Sequence, residues 1–302
     1  LEETMKTKKK AASKASLRRV LTMSAVVGAC LFTTTGAGAA DAAAMASGHG
    51  ACGPNPKTLY VWAGDDDRVS PDFVAVVDFD TSSRTYGRVL STVSVPTSNN
   101  EAHHLGLSAD CNVLGAGGLL SVLQGQDDLF FFDVSNARSP RFMKSTSAPL
   151  SAITDDFTPL PGGGFLITNM GSKTGGTPGR VVEVNGNLDV VGDLPTDPPP
   201  GFNPHGISVR HDINLMVTSD FVDPASTLNV TPGDPLFRNT VHVWDLAARS
   251  IVRTIAVPGA IGTMDVKLIP GDRQARAFTA GMFDGKLYLV DTQNGSARAV
   301  YD

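Results

Sequence analysis

Cysteine and charge are both scarce in this chain of 302 residues, which has three cysteines, at positions 30, 52 and 111, and 18% charged residues. No two cysteines have the C-x-x-C spacing, so the sequence does not predict a structural zinc knuckle. The formal net charge is −5, and no basic run occurs outside the N-terminus. This charge pattern does not indicate a nucleic-acid-binding protein.

Helical periodicity of useful length is also missing, as are the G-x-S-x-G, G-x-x-x-x-G-K-[ST] and helix-opening G-x-G-x-x-G motifs. Glycine and proline are instead plentiful, at 31 and 19 residues. This composition is typical of many short strands joined by tight turns. The sequence therefore predicts an all-β protein without the common nucleotide-binding and hydrolase signatures.

The N-terminus has the three parts of an export signal. Basic residues are concentrated between Lys6 and Arg19, and the mostly apolar stretch Val20–Phe32 follows. That stretch is too short for a transmembrane span. Ala37-Gly38-Ala39 is a small-residue cleavage site of the A-x-A kind. We expect residues 1–40 to be a signal segment and the mature protein to be periplasmic or secreted.

A second interpretation of the N-terminus is a lipoprotein signal, Val27-Gly28-Ala29-Cys30, with Cys30 as the acylated residue. In either case Cys52 and Cys111 reach an oxidising compartment, where they either pair or stay free. Residues 41–57 are rich in alanine, glycine and proline and predict a flexible leader. The remaining residues, 58–302, form the predicted domain.

A motif recurs along this domain: an apolar run closed by an acidic residue, every 46 to 62 residues. Its copies are Val74–Asp78, Leu129–Asp133, Arg180–Glu183, Val241–Asp245 and Leu287–Asp291. Such a period, with about four strands in each repeat, is the signature of a β-propeller. We therefore predict a propeller of four-stranded blades, with five blades visible and the fifth ending after its third strand at Asp302.

The repeats align at their inner strand pairs. An offset of 102 residues places His103 on His205, and an offset of 52 places His103 on Asp155. Met264-Asp265 takes roughly the same place in the last repeat. In a propeller this position, the start of the innermost strand, faces the mouth of the central channel. The polar side chains are therefore expected to converge there.

Convergence of imidazoles predicts a metal site, because histidine is the commonest metal ligand in proteins. His103, His104 and His205 are the candidate ligands, and Asp155 is a fourth ligand or a catalytic base. Alternation along a regular strand would place His103 and His104 on opposite faces. Glu101 either orients an imidazole or is a solvated turn carboxylate. The competing interpretation is a wet, polar channel without metal.

Several segments resemble the selenium-binding protein family, which includes methanethiol oxidases. They are Glu101–Asp110 (EAHHLGLSAD), Pro71–Asp80 (PDFVAVVDFD), Phe130–Val134 (FFFDV), Ser139-Pro140-Arg141 and Thr240–Pro258. The resemblance runs from about Thr58 to the C-terminus, and it implies a β-propeller. It also implies a copper-dependent oxidase that turns methanethiol, oxygen and water into formaldehyde, hydrogen sulfide and hydrogen peroxide.

The chain departs from that family in three respects. No cysteine lies near Val61–Gly64, where the family has its selenium-linked residue, so the resemblance does not carry selenium binding here. Family members are considerably longer. Where this chain has Asp155, the family tends to have a histidine-bearing segment, which implies weaker metal binding.

Two other functions remain open at this point. One is a non-enzymatic exported propeller that binds a partner or ligand at its blade edges. The other is a lactonase-like hydrolase, which would need a carboxylate-rich, calcium-binding channel built from Asp155, Asp156 and Asp265.

Overall fold

The computed structural model describes residues 57–228 and 236–302. The expected signal segment, residues 1–40, and all but the last residue of the expected leader lie outside the described residues. Cys111 is disulfide-bonded, and its partner cysteine lies outside them as well. Across the part that is described, no helix is both long enough and apolar enough to span a bilayer.

Strands make up almost all of the regular structure of the described residues. The strands are β1 Thr58–Ala63, β2 Phe73–Asp78, β3 Val89–Ser94, β4 Ala102–Leu107, β5 Val113–Gly118, β6 Leu129–Asp133, β7 Arg141–Thr146, β8 Ser151–Pro159, β9 Phe165–Ser172, β10 Arg180–Val184, β11 Val190–Leu194, β12 Pro204–Arg210, β13 Leu215–Asp220, β14 Thr240–Asp245, β15 Ser250–Ala256, β16 Thr263–Leu268, β17 Arg276–Gly281, β18 Leu287–Asp291 and β19 Ser296–Tyr301. The helices are a short α-helix, α1 Pro224–Leu228, and the 3-10 turns Ser121–Gln124 and His211–Ile213.

These strands form five antiparallel sheets that follow one another in chain order. The first sheet has three strands, β1–β3, and the other four sheets have four strands each: β4–β7, β8–β11, β12–β15 and β16–β19. The inner strands pack on one another in order, from β1 to β16. Within the described residues the ring of sheets is not closed. The predicted β-propeller architecture is confirmed.

The fifth sheet corrects one detail of the sequence analysis. We expected the chain to end after the third strand of this blade, but β19 is a fourth strand, paired with β18. Its residues, SARAVY, are almost all exposed. The strand therefore lacks the alternation of buried apolar residues by which a sequence pattern reveals a strand.

The core lies between neighbouring sheets, because a single blade cannot bury both of its faces. Between the second and third sheets, Phe131 stacks on Phe165 with ring centroids 6.0 Å apart, and Phe157 meets Phe165 edge-on. Trp244 is fully buried in the next cluster along the chain, with Phe202 and Met216. These apolar layers fix the inner strands side by side around the site.

Four inner strands carry a β-bulge at the same place. In β4, β8, β12 and β16 the register with the second strand of the sheet shifts so that two residues oppose one. The bulged pairs are His103-His104, Asp155-Asp156, His205-Gly206 and Met264-Asp265. A bulge bends its strand and re-aims side chains. The positions aligned from the sequence are therefore structurally equivalent.

Candidate metal centre

Three of the bulges bring four potential ligands together. Asp155 lies in the middle: its Oδ1 atom is 3.1 Å from Nε2 of His104 and 3.6 Å from Nε2 of His103, and its Oδ2 atom is 3.2 Å from Nε2 of His205. One ligand atom from each residue falls within 4.8 Å of all the others. The four residues named from the sequence thus form one cluster.

Both histidines of the β4 bulge belong to this cluster, which corrects the expectation that they point to opposite faces. Their rings lie 4.6 Å apart at an interplanar angle of 51°. The expectation assumed a regular strand, but the pairing jumps from Ala102 to Leu105. Because the two histidines share the bulge, the strict alternation of side chains is lost at this point.

Burial controls the protonation of the cluster. Asp155 is fully buried, and burial raises the pKa of its carboxyl well above the ordinary value, an effect that the negative charges of Asp156 and Asp265 reinforce. Burial lowers the pKa of His103 to about 3, with a further contribution from His104. It also lowers the pKa of His205 and of His104. Near neutral pH the imidazoles are therefore uncharged, and their lone pairs are available to a metal.

The donor set fits a transition-metal ion. Both carboxylate oxygens of Asp155 are buried and accept no hydrogen bond from any described residue. A buried polar atom without a partner is costly, and a bound cation would satisfy both oxygens. Several imidazoles with one carboxylate suit copper, zinc, iron or nickel, and this set alone does not choose among them.

Lys267, on β16, is a residue of the channel that the sequence analysis missed. Its ammonium lies 2.9 Å from Oδ2 of Asp156 and 3.2 Å from Oδ1 of Asp265. It also donates to the backbone carbonyl of Ile207, at 3.2 Å. The lysine thus links β8, β12 and β16. The sequence signal that could have identified Lys267 as a channel residue is its position two residues after Asp265, because residues two apart in a strand share a face.

The contacts of Lys267 argue against the lactonase-like alternative. Asp156 and Asp265 were two of the three carboxylates proposed to bind calcium, and both are paired with the same ammonium. A calcium site needs several oxygen ligands free to coordinate. The arrangement therefore favours a nitrogen-rich transition-metal site over a hard-cation site.

Aromatic rings extend from the cluster toward the surface. Phe221 meets the His205 ring edge-on, with centroids 5.2 Å apart. Phe283 stacks on Phe221 at 6.4 Å and contacts Phe237 at 4.3 Å. Since Phe283 is 48% exposed, the three phenylalanine rings form an apolar surface that runs from the buried imidazole of His205 to solvent.

Other polar residues near the site have separate partners. Glu101 does not orient an imidazole; its carboxylate accepts a hydrogen bond from Arg68, at 3.3 Å. His242 is buried in β14 and lies 2.6 Å from Oδ2 of Asp220 and 2.9 Å from the hydroxyl of Thr254. Because both ring nitrogens have partners within the fourth sheet, His242 has a structural role.

Comparison with known proteins agrees with this architecture. The chain is 29% identical over 289 residues to a methanethiol oxidase of Ruegeria pomeroyi, covering 81% of this chain and 61% of the relative. It is 27% identical over 259 residues to a methanethiol oxidase of Hyphomicrobium sp, covering 77% of this chain and 55% of the relative. The alignments thus span little more than half of these curated relatives.

A solved structure described as a hypothetical selenium-binding protein, from Sulfolobus tokodaii, shares the fold. It matches with a TM-score of 0.70 at 18% sequence identity, over 83% of this chain and 61% of the other. The model of the 56 kDa selenium-binding protein family (SBP56) matches residues 40–296. This chain therefore belongs to the 56 kDa selenium-binding protein family.

Proposed function

We propose that this protein is a copper-dependent oxidase of small thiols, acting on methanethiol or a close relative of it. The observation that carries the proposal is the convergence of His103, His104, His205 and Asp155 on one point. These four residues would hold the metal. Copper suits the proposed chemistry because a soft thiolate binds it well and because it can exchange electrons with oxygen.

The surroundings of the cluster support a small, apolar thiol as substrate. Two relatives that align over most of this chain are named methanethiol oxidases. The Phe221 ring lies against His205, and sulfur and methyl groups make favourable contacts with aromatic rings. The proposed net reaction converts methanethiol, oxygen and water into formaldehyde, hydrogen sulfide and hydrogen peroxide, and it balances in atoms as written.

Asp155 has a second role in this proposal. Burial raises the pKa of its carboxyl well above the ordinary value, so in the metal-free protein the carboxyl keeps its proton to a higher pH than an exposed aspartate does. Metal binding requires the carboxylate, so this proton must leave when the metal enters. The three imidazoles are already uncharged and need release no proton. Metal uptake should therefore release a proton from Asp155 wherever the metal-free carboxyl is still protonated, and metal affinity should fall as the pH is lowered.

We further propose that the protein acts after export, in the periplasm or outside the cell. The support for this is the basic, apolar and small-residue pattern of residues 1–40. Attachment of a lipid at Cys30 is the alternative fate of the same segment. Mass spectrometry of the mature N-terminus separates the two: cleavage after Ala39 gives a free N-terminus, and a lipoprotein begins at an acylated Cys30.

A thiol oxidation assay tests the proposed activity. Copper-loaded protein is supplied with methanethiol and oxygen, and formaldehyde, hydrogen sulfide and peroxide are each quantified. We expect all three products in equal amounts, and their loss in the double variant His103→Ala/His205→Ala. His211→Ala is the matched control, because His211 lies in a turn outside the cluster. A copper-loaded protein that forms none of the products would refute the oxidase proposal and favour a binding function.

A further inference from the structure

We propose that Met264 supplies a thioether ligand to the same centre and thereby makes it selective for copper(I). This inference rests on the proposed metal site and specifies which ion the site prefers. It follows from the repeat of the bulge along the inner strands, from the surroundings of Met264 and from the chemistry of sulfur.

The repeat of the bulge places Met264 at a ligand position. The first bulged residue is His103 in β4, Asp155 in β8, His205 in β12 and Met264 in β16. The first three converge within ligand distance of one another. Because the four bulges occupy the same register in equivalent strands, the fourth member of the set is expected to face the same channel.

Met264 also differs from the methionines that fill the core. Met170 and Met216 are buried in apolar clusters. Met264 is only partly buried and belongs to none of the apolar clusters of the described residues. Met264 therefore does not fill any of these apolar clusters, and its flexible thioether is free to take a different role.

Hydrogen bonds and ion pairs connect the β16 bulge to the neighbouring strands and to the site. The backbone carbonyl of Met264 accepts a hydrogen bond from the hydroxyl of Ser219, at 3.1 Å. The next residue, Asp265, pairs with Lys267, which also holds Asp156 of the β8 bulge. The strand that carries Met264 is therefore held beside the cluster.

The chemistry of a thioether gives the site a preference. Imidazoles and a carboxylate accept zinc, iron and copper alike, whereas thioether sulfur is a soft ligand that selects copper(I). Replacing Met264 by leucine keeps the size and apolar character of the side chain but removes the sulfur. We expect the affinity for copper(I) to fall about tenfold or more and the affinity for zinc to change less than about threefold.

X-ray absorption of the copper(I)-loaded protein tests the assignment directly. We expect a copper–sulfur shell together with nitrogen and oxygen scatterers in the wild type. The sulfur shell should vanish in Met264→Leu and persist in Met143→Leu, a control at a half-exposed methionine on the outer strand β7. A wild-type spectrum with only nitrogen and oxygen scatterers would overturn the thioether ligand and leave the metal site standing. Failure of the wild type to bind copper would overturn both the thioether ligand and the proposed copper site.

Competitive titration with copper(I) and zinc provides a second readout. Equal losses of the two affinities in Met264→Leu would point to a packing defect and contradict the inference. A selective loss of copper(I) affinity, with an unchanged thermal midpoint, is the expected result.

Discussion

Asp155 is the residue on which the proposed metal binding depends most. Burial raises the pKa of its carboxyl well above the ordinary value, so the folded protein disfavours the charged form of this group. Asp155→Asn replaces the carboxyl by an uncharged amide of similar shape. Because the amide never carries the charge that burial disfavours, we expect the free energy of unfolding without metal to rise at neutral pH, and metal affinity to fall at least about 100-fold.

Paired denaturation and metal titrations measure these two effects. The control is Asp189→Asn, which removes an exposed carboxylate that pairs with Lys144 at the surface. It should leave both quantities nearly unchanged. A metal affinity that survives in Asp155→Asn would show that this carboxylate is not a ligand.

Asp128, which does not belong to the ligand cluster, offers a second test of how burial changes the pKa of a carboxyl. It is fully buried, and burial raises its pKa from 3.8 to about 6, although Lys173 acts in the opposite direction. Between these values the folded state binds more protons than the unfolded state, so this group's contribution to stability falls as the pH rises through 6. The free energy of unfolding of Asp128→Asn should exceed that of the wild type by up to about 3 kcal/mol at pH 8 and by almost nothing at pH 4.

Urea denaturation of both proteins at the two pH values gives this difference. Comparing the variant with the wild type cancels the other titrating groups, which the two proteins share. A variant that is equally favoured at pH 4 and pH 8, or is less stable at pH 8, would contradict the assignment.

At the scale of single elements, the bulged inner strand is what the sequence predicted least well. Offsets between repeats placed His103, Asp155 and His205 at equivalent positions, and this is confirmed. The pairing of His103 with His104 in one bulge was not predicted, because a bulge depends on backbone pairing that no residue pattern displays. Lys267 was missed for a similar reason: its partners, Asp156 and the carbonyl of Ile207, lie in other sheets.

Gly206, the second bulged residue of β12, tests how closely the inner strands must approach. A Cβ atom there would lie 2.6 Å from Oδ1 of Asp265 and 2.7 Å from the backbone nitrogen of Val266. Backbone cannot yield as a flexible side chain can, so Gly206→Ala should push β12 and β16 apart. We expect a loss of about 1–3 kcal/mol in stability and weaker metal binding, because His205 is the preceding residue.

Thermal denaturation and metal titration check this expectation. Gly162→Ala is the matched control, since a Cβ atom at that glycine meets nothing within 4 Å. If both alanine variants behaved like the wild type, close packing of β12 against β16 would not be needed for the site.

At the scale of the whole molecule, the repeat of an apolar run closed by an acid was enough to predict the propeller. The pattern is strong because strands such as LFFFD are buried on both faces, and burial on both faces is what stacked blades require. Exposed edge strands such as β19 carry no such signal, which is why the end of the fifth blade was misplaced. Family membership adds the likeness to methanethiol oxidases, over little more than half of their length.

The propeller brings residues that are about 50 and 100 positions apart in the sequence to one point. The proposed centre therefore exists only when the second, third and fourth sheets are packed together. Because metal binds only the folded arrangement, loading should stabilise these sheets as a unit.

The most direct measurement is the copper content of purified mature protein after copper loading and removal of loosely bound ions, determined by mass spectrometry. We predict about one copper ion per chain, retained by His211→Ala and lost by His103→Ala/His205→Ala. Wild-type protein that stays free of copper, or a double variant that holds as much copper as the wild type, would contradict the assignment of this cluster as the metal centre.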